Sequence, residues 1–236
     1  MGFESSAMKS EKSRPLEINA VLFDLDGTLL DSMPYHVRAW KEAFARYGYY
    51  PDELEFYLNE GVRHDVTVRD RLRNLGVVNP DPKMVTDIFE TKREIFSKIV
   101  EMRPLEGALE LLTMLRGKVK LGVVTGGVSA VVERVVAELF KGYLDVIVAY
   151  ESTVRGKPDP DPYDYAIEKM DVPRQRILAV ENAPTGIASA LGAGLTCWAV
   201  CTTLSPRYLS QAHRIFENLH DLGEVLTRDM QLKMPE

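Results

Sequence analysis

Short apolar runs rich in β-branched residues recur along the chain at 18–23, 119–124, 144–149, 177–180 and 196–200. None shows the apolar/polar alternation of a half-exposed strand, so they read as strands buried on both faces of a parallel sheet. Between the later runs the apolar positions return at helical spacing over 107–115, 129–140, 161–170 and 184–191, and a last helical pattern covers 219–226. Alternation of strand and helix predicts an α/β fold, a doubly wound parallel sheet. The stretch from 33 to 103 breaks the alternation, with helical patterns at 35–47, 66–75 and 82–100 and no strand. An all-helical insert after the first strand follows. Gly61, Gly76 and Pro80 punctuate it, and Arg103-Pro-Leu-Glu-Gly107 returns the chain to the core. The expected division is a core from 17–32 and 104–236, a helical cap from 33–103, and a flexible tail at 1–16, which is polar and lacks periodicity.

Composition narrows this picture. At 236 residues and 45% hydrophobic, the chain can fill one large core or two modest ones. No apolar run approaches the ~20 residues of a membrane-spanning helix, and the N-terminus has no apolar signal-peptide core, so a cytoplasmic protein with no membrane partner is expected. A formal charge of −6 and the lack of a basic block argue against nucleic acid. A small anion bound by a local cation or a metal fits the same charge. A monomer or weak dimer is expected. The two cysteines, Cys197 and Cys201, share one apolar run. Along a strand they lie roughly 13 Å apart, beyond disulfide reach, so two free, buried thiols are expected.

The chemistry gathers at the strand ends. Phe23-Asp-Leu-Asp-Gly-Thr-Leu29 puts Asp24 and Asp26 at the carboxyl end of the first strand, the edge where open α/β sheets bind ligands. Two carboxylates aimed at one small volume need a proton or a cation between them, and a hard divalent ion with oxygen ligands suits both. Alone, the same residues also read as a strand end followed by a turn. Three further clusters follow in order. Thr125-Gly126-Gly127 offers a hydroxyl and flexible amides as an anion cradle. Gly156-Lys-Pro-Asp-Pro160 sets Lys157 in a proline-braced loop, and Glu181-Asn182 adds oxygen ligands. Singly, Lys157 also reads as a surface lysine and Asn182 as a helix cap. Four polar clusters at successive strand ends converge on one site.

At these residues the chain resembles the haloacid dehalogenase superfamily of phosphohydrolases, over nearly everything from Ile18 to the C-terminus. Phe23-Asp-Leu-Asp-Gly-Thr resembles its first motif, Thr125 its second, Lys157 its third and Glu181-Asn182 its fourth. The insert resembles the small cap of the branch that includes β-phosphoglucomutase and phosphoglycolate phosphatase. The resemblance implies that Asp24 is a nucleophile forming an aspartyl-phosphate and that Asp26 is the acid and base. It implies Mg²⁺ held by Asp24, the Asp26 carbonyl, Glu181 and Asn182. Thr125 would then donate to the phosphoryl group, with the Gly126 amide beside it, and Lys157 would stabilise the charge. Relatives often carry an acid where this chain has Asn182, so the metal would meet one negative charge fewer, with Glu181 the acidic ligand.

The cap is expected to set the substrate. The resemblance lets His36, from Met33-Pro-Tyr-His36, and Arg63 face it; His36 equally fits a packing role at the hinge, and Arg63 opens a strongly charged helix. Glu60, beside Gly61, would meet the metal, a metal-bound water or a sugar hydroxyl, or else sit at a helix end on the surface. Three activities are consistent with this: hydrolysis of a small phosphomonoester such as a sugar phosphate, hydrolysis of pyrophosphate if Glu60 engages the metal shell, and β-phosphoglucomutase chemistry. Hydrolysis of the phosphomonoester is the least demanding. Asp26 argues against dehalogenation, because a halide leaves without a proton.

Overall fold

The computed structural model describes residues 17–230, and the expected tail at 1–16 lies outside them. Strand β1 (Ala20–Phe23) is wholly buried and runs parallel between β2 (Lys120–Val124) and β4 (Ile177–Glu181). With β3 (Val146–Val148), β5 (Thr196–Val200) and β6 (Arg214–Phe216) the sheet is parallel throughout, in the order β3-β2-β1-β4-β5-β6. The order reverses beside β1, which opens a crevice past the carboxyl ends of β1 and β4.

Alternate side chains of β1 serve opposite faces. Val21 and Phe23 join one core with α5 (Ala108–Leu115), α6 (Ser129–Leu139) and α9 (Leu219–Asp229). Ala20 and Leu22 join the other, with α7 (Asp161–Met170) and α8 (Pro184–Gly192). Burial on both faces is why β1, β4 and β5 carry no alternation; β3, at the sheet edge, departs from that expectation, with Ile147 exposed.

Four helices occupy the insert: α1 (Met33–Ala45), α2 (Leu54–Leu58), α3 (His64–Asn74) and α4 (Pro82–Ile99). They close on a core of their own that includes Trp40, Phe44, Phe56, Leu72, Ile88 and Ile95. Proline in the first turn starts α1 and α4, where its missing N–H leaves nothing unpaired, and Asp81 caps α4 by accepting from the Lys83 amide.

The structure departs from the sequence expectation at small elements. Helix α2 spans five residues and β6 three, too short to express a period. Cys197 is buried in β5, whereas Cys201 lies one residue past the strand and is only half-buried; both are free. Among the described residues no helix is long and apolar enough to cross a membrane.

Candidate active site

Asp24 directly follows β1, and its amide donates to the Val180 carbonyl at 2.9 Å, so the ladder with β4 fixes its position. Lys157 Nζ donates to Asp24 Oδ1 at 2.7 Å and lies 2.7 Å from Glu181 Oε1. Tyr163 on α7 donates its hydroxyl to the same Glu181 oxygen at 2.5 Å. The cap adds Glu60: Asp24, Glu60 and Glu181, all buried, offer oxygens that lie within 4.8 Å of one another. Glu60 reaches this depth because its loop lies flush on the core. A Cβ built on Gly126 would stand 2.7 Å from the Gly61 carbonyl oxygen, so only glycine admits the approach. Thr185 donates its hydroxyl to the Glu60 carbonyl, and Val62 bridges to Lys157. A cavity of about 50 Å³ remains between cap and core, lined by Asp26, His36, Glu60 and Gly126 among others.

Asp26 turns away from these carboxylates. Its Oδ1 accepts from the Ser32 hydroxyl at 2.5 Å and lies 3.2 Å from His36 Nε2, and its Oδ2 accepts from Thr125 at 3.4 Å. Lys92 on α4 lies 2.8 Å from His36 Nδ1. An ammonium has only donors, so His36 accepts at Nδ1 and presents its Nε2–H to Asp26.

The two aspartates therefore differ in proton affinity. Burial pushes Asp24 up to about 7; Lys157 opposes this and Glu181 reinforces it. Burial also opposes ionisation of Asp26, but His36, the Ser32 hydroxyl and Lys92 prevail and hold it below the ordinary carboxylate range. Burial, then the negative charge of Asp24, raises Glu60 well above its ordinary value. Lys157 stays protonated: Asp24, Glu181 and Glu60 outweigh its burial. Burial lowers Lys92 to about 8, with Asp26 opposing.

Three carboxylates face one ammonium, and Asp24 Oδ2, Glu60 Oε2 and Glu181 Oε2 are buried with no hydrogen-bond partner. Unpaired hard oxygen donors in that number fit a divalent cation such as Mg²⁺. Glu60 supplies from the cap the third carboxylate that Asn182 does not. As placed, Asn182 is not a member of this cluster. Its Nδ2 lies 3.3 Å from the Asp26 carbonyl oxygen and 3.1 Å from Thr203 Oγ1, and its Oδ1 accepts from Thr28 at 3.2 Å, so it braces the turn that carries Asp26.

Arg63, which the resemblance lets face the substrate, has its guanidinium engaged by the core loop after β3. Its guanidinium lies 3.9 Å over the Tyr150 ring and donates to the Tyr150 and Thr153 carbonyls at 3.5 and 3.3 Å. His64 stacks on the same ring at 5.8 Å. These contacts bind the start of α3 to the core. A cation–π contact of this kind contributes about 1–2 kcal/mol when partly desolvated. Arg63→Ala is therefore expected to speed amide exchange across residues 60–64 about tenfold with little change in global melting; unchanged exchange would remove the latch.

Lys92 escaped the sequence reading although a signal exists. Val85, Ile88, Lys92 and Ile95 form the buried stripe of α4, and a lysine inside an apolar helical stripe needs a reason.

A family model described as haloacid dehalogenase-like hydrolase matches residues 18–194. Validoxylamine A 7'-phosphate phosphatase of Streptomyces hygroscopicus subsp. limoneus is 31% identical over 86% of this chain and 94% of its own. Fructose-1-phosphate phosphatase YqaB of Escherichia coli is 29% identical over 74% and 92%. The crystal structure of CbbY from Rhodobacter sphaeroides in complex with phosphate superposes with a TM-score of 0.72 at 30% identity, covering 87% of this chain and 96% of that one.

Proposed function

The chain belongs to the haloacid dehalogenase-like hydrolases, and from that premise we propose that it hydrolyses a small phosphomonoester, a sugar phosphate or similar metabolite, through a phosphoryl group carried on Asp24. The observation that carries this reading is the division between two neighbouring aspartates. Asp24 is held by the Lys157 ammonium at 2.7 Å, and Asp26 faces the other way into the His36–Lys92 pair.

A carboxylate oxygen of Asp24 attacks phosphorus, the bond to the leaving oxygen breaks, and Asp26 gives that oxygen its proton. Asp26, now ionised, takes a proton from water as the water attacks phosphorus, which frees Asp24 and inorganic phosphate. A phosphoryl dianion beside Asp26 raises its affinity for a proton, and His36 supplies one from Nε2 as Lys92 gives one to Nδ1, which leaves the imidazole neutral. Lys157 neutralises the developing charge, and Thr125 with the Gly126 amide positions the phosphoryl oxygens. Asp24, Glu60 and Glu181 would hold Mg²⁺, which would supply further positive charge against the phosphoryl oxygens, while Asn182 braces the turn that carries Asp26. The helices of residues 33–103 act as a cap that shuts out water once substrate is in place. Two relatives named as phosphatases, one of validoxylamine A 7'-phosphate and one of fructose 1-phosphate, support the substrate class.

A second reading, hydrolysis of pyrophosphate, is favoured by one feature: Glu60 stands in the carboxylate cluster, beside a cavity of about 50 Å³, room for only a few water-sized groups. Phosphate release with Mg²⁺ and with chelator, over glucose 6-phosphate, fructose 1-phosphate, glycolate phosphate and pyrophosphate, tests both. Mg²⁺-dependent release from a monoester is expected. Preference for pyrophosphate selects the second reading, and no release from folded protein refutes both.

A further inference from the structure

We propose that Tyr163 is the residue that positions Glu181 for the divalent cation, and that its hydroxyl sets the affinity of the site for Mg²⁺. This rests on the reading of Asp24, Glu60 and Glu181 as the cation's ligands and adds to them a residue outside the cluster.

Glu181 closes β4 and is wholly buried, and its two oxygens stand in different surroundings. Oε1 takes two donors, the Tyr163 hydroxyl at 2.5 Å and the Lys157 ammonium at 2.7 Å, whereas Oε2 is buried with no partner. Two donors on one oxygen fix the direction of the carboxylate and leave the other oxygen for a cation. On the side of α8 the carboxylate fills the room left by Gly186, where a Cβ would overlap both of its oxygens.

Of the two donors, Tyr163 is the one that keeps its hold through the reaction. Lys157 is shared: its ammonium has three protons to give, and they serve Asp24 at 2.7 Å, Glu181 at 2.7 Å and, in the proposed reaction, a phosphoryl oxygen. A cation held by the same carboxylates also repels it. The Tyr163 hydroxyl is neutral, and among the described residues Glu181 is its one partner. Its ring is fully buried in the core that α7 and α8 share with the sheet, so the hydroxyl is presented from a rigid place. Glu181, held in advance, gives up little side-chain freedom when the cation arrives, and affinity gains by that saving.

Tyr163→Phe removes the hydroxyl and keeps the ring. Calorimetric titration of the metal-free protein with MgCl₂, in the absence of substrate, is expected to show a dissociation constant about 10–100-fold higher than that of wild type, the usual effect of losing a group that holds a metal ligand from behind. In phosphate release, the Mg²⁺ concentration giving half the maximal rate should rise by the same factor, while kcat and the KM for the phosphomonoester at saturating Mg²⁺ stay unchanged. Gly186→Ala crowds the same carboxylate from α8 and is expected to weaken Mg²⁺ binding as well, which keeps the question open to measurement should Tyr163→Phe fail to fold. Wild-type affinity in either folded variant overturns the role given to Tyr163 and leaves the cation site standing. A kcat that stays low at saturating Mg²⁺ also overturns it, since the hydroxyl would then act on the reaction directly. Absence of any Mg²⁺ binding by wild type overturns the cation site and the positioning role together.

Discussion

Asp24→Asn is expected to abolish phosphate release, by ~10⁴-fold or more in kcat, as removal of an attacking group does in enzymes with a covalent intermediate. The amide retains the shape of the carboxyl and a hydrogen bond to Lys157, so lost turnover is not lost folding. Stability supplies an independent reading of the same residue. Asp24 is buried beside Glu181 and Glu60 and holds its proton up to about pH 7, against 3.8 for the free group. A group whose folded value is raised contributes stability that is full below about pH 4 and fades as pH rises through about 7. The asparagine variant lacks that titration. Measured in chelator, wild type should lose stability relative to the variant over this window, by up to about 1.4 kcal/mol per pH unit. His36 and His64, whose burial lowers their proton affinity, act in both proteins and cancel in the difference. A variant that releases phosphate at the wild-type rate would refute the nucleophile, and parallel stability curves would refute the buried cluster.

Lys157→Met is the second large effect. In wild type the ammonium lies 2.7 Å from both Asp24 and Glu181 and is itself buried. Removing one partner of a buried ionic group costs about 3–5 kcal/mol, because the remaining charges stay desolvated and unpaired. The metal-free variant should therefore unfold well below wild type at pH 7–8. The gap should narrow as pH falls, since Asp24 and Glu60, raised further by loss of the cation, take up protons in the native state. It should also narrow with added Mg²⁺ at constant pH, because a divalent cation replaces part of the missing charge. Thermal unfolding across pH, with chelator and with Mg²⁺, measures all three. A melting point that ignores the substitution at pH 8 would mean that the three carboxylates do not share this space.

The residues behind both predictions were legible because each sits at the end of an apolar run. In a parallel sheet every strand presents its carboxyl end to the same edge, so Asp24, Thr125 and Glu181, each just beyond or at the close of its own strand, arrive at one place, and Lys157 reaches it from the loop that follows β3 (Val146–Val148). The strand–helix alternation of the doubly wound sheet and the helical character of residues 33–99 were readable for the same local reason: period and strand length are properties of short segments.

What local pattern cannot carry is the seating of one element on another. Glu60 joins Asp24 and Glu181 only because two glycines, Gly61 and Gly126, let the cap loop meet the core backbone. Lys92 reads as one position in a helical stripe until α4 packs on α1 and brings it 2.8 Å from His36. Arg63 reads as one charge among many until Tyr150 lies beneath it. Asn182 has the oxygen of a metal ligand, yet its surroundings assign its amide to the turn at Asp26. The sequence by itself determined the sheet, the order of its strands' polar ends and the position of Asp24 at the first of them. Only the tertiary structure decided which cap residues complete the site, because cap and core surfaces meet across sequence separations that no hydrophobic period records.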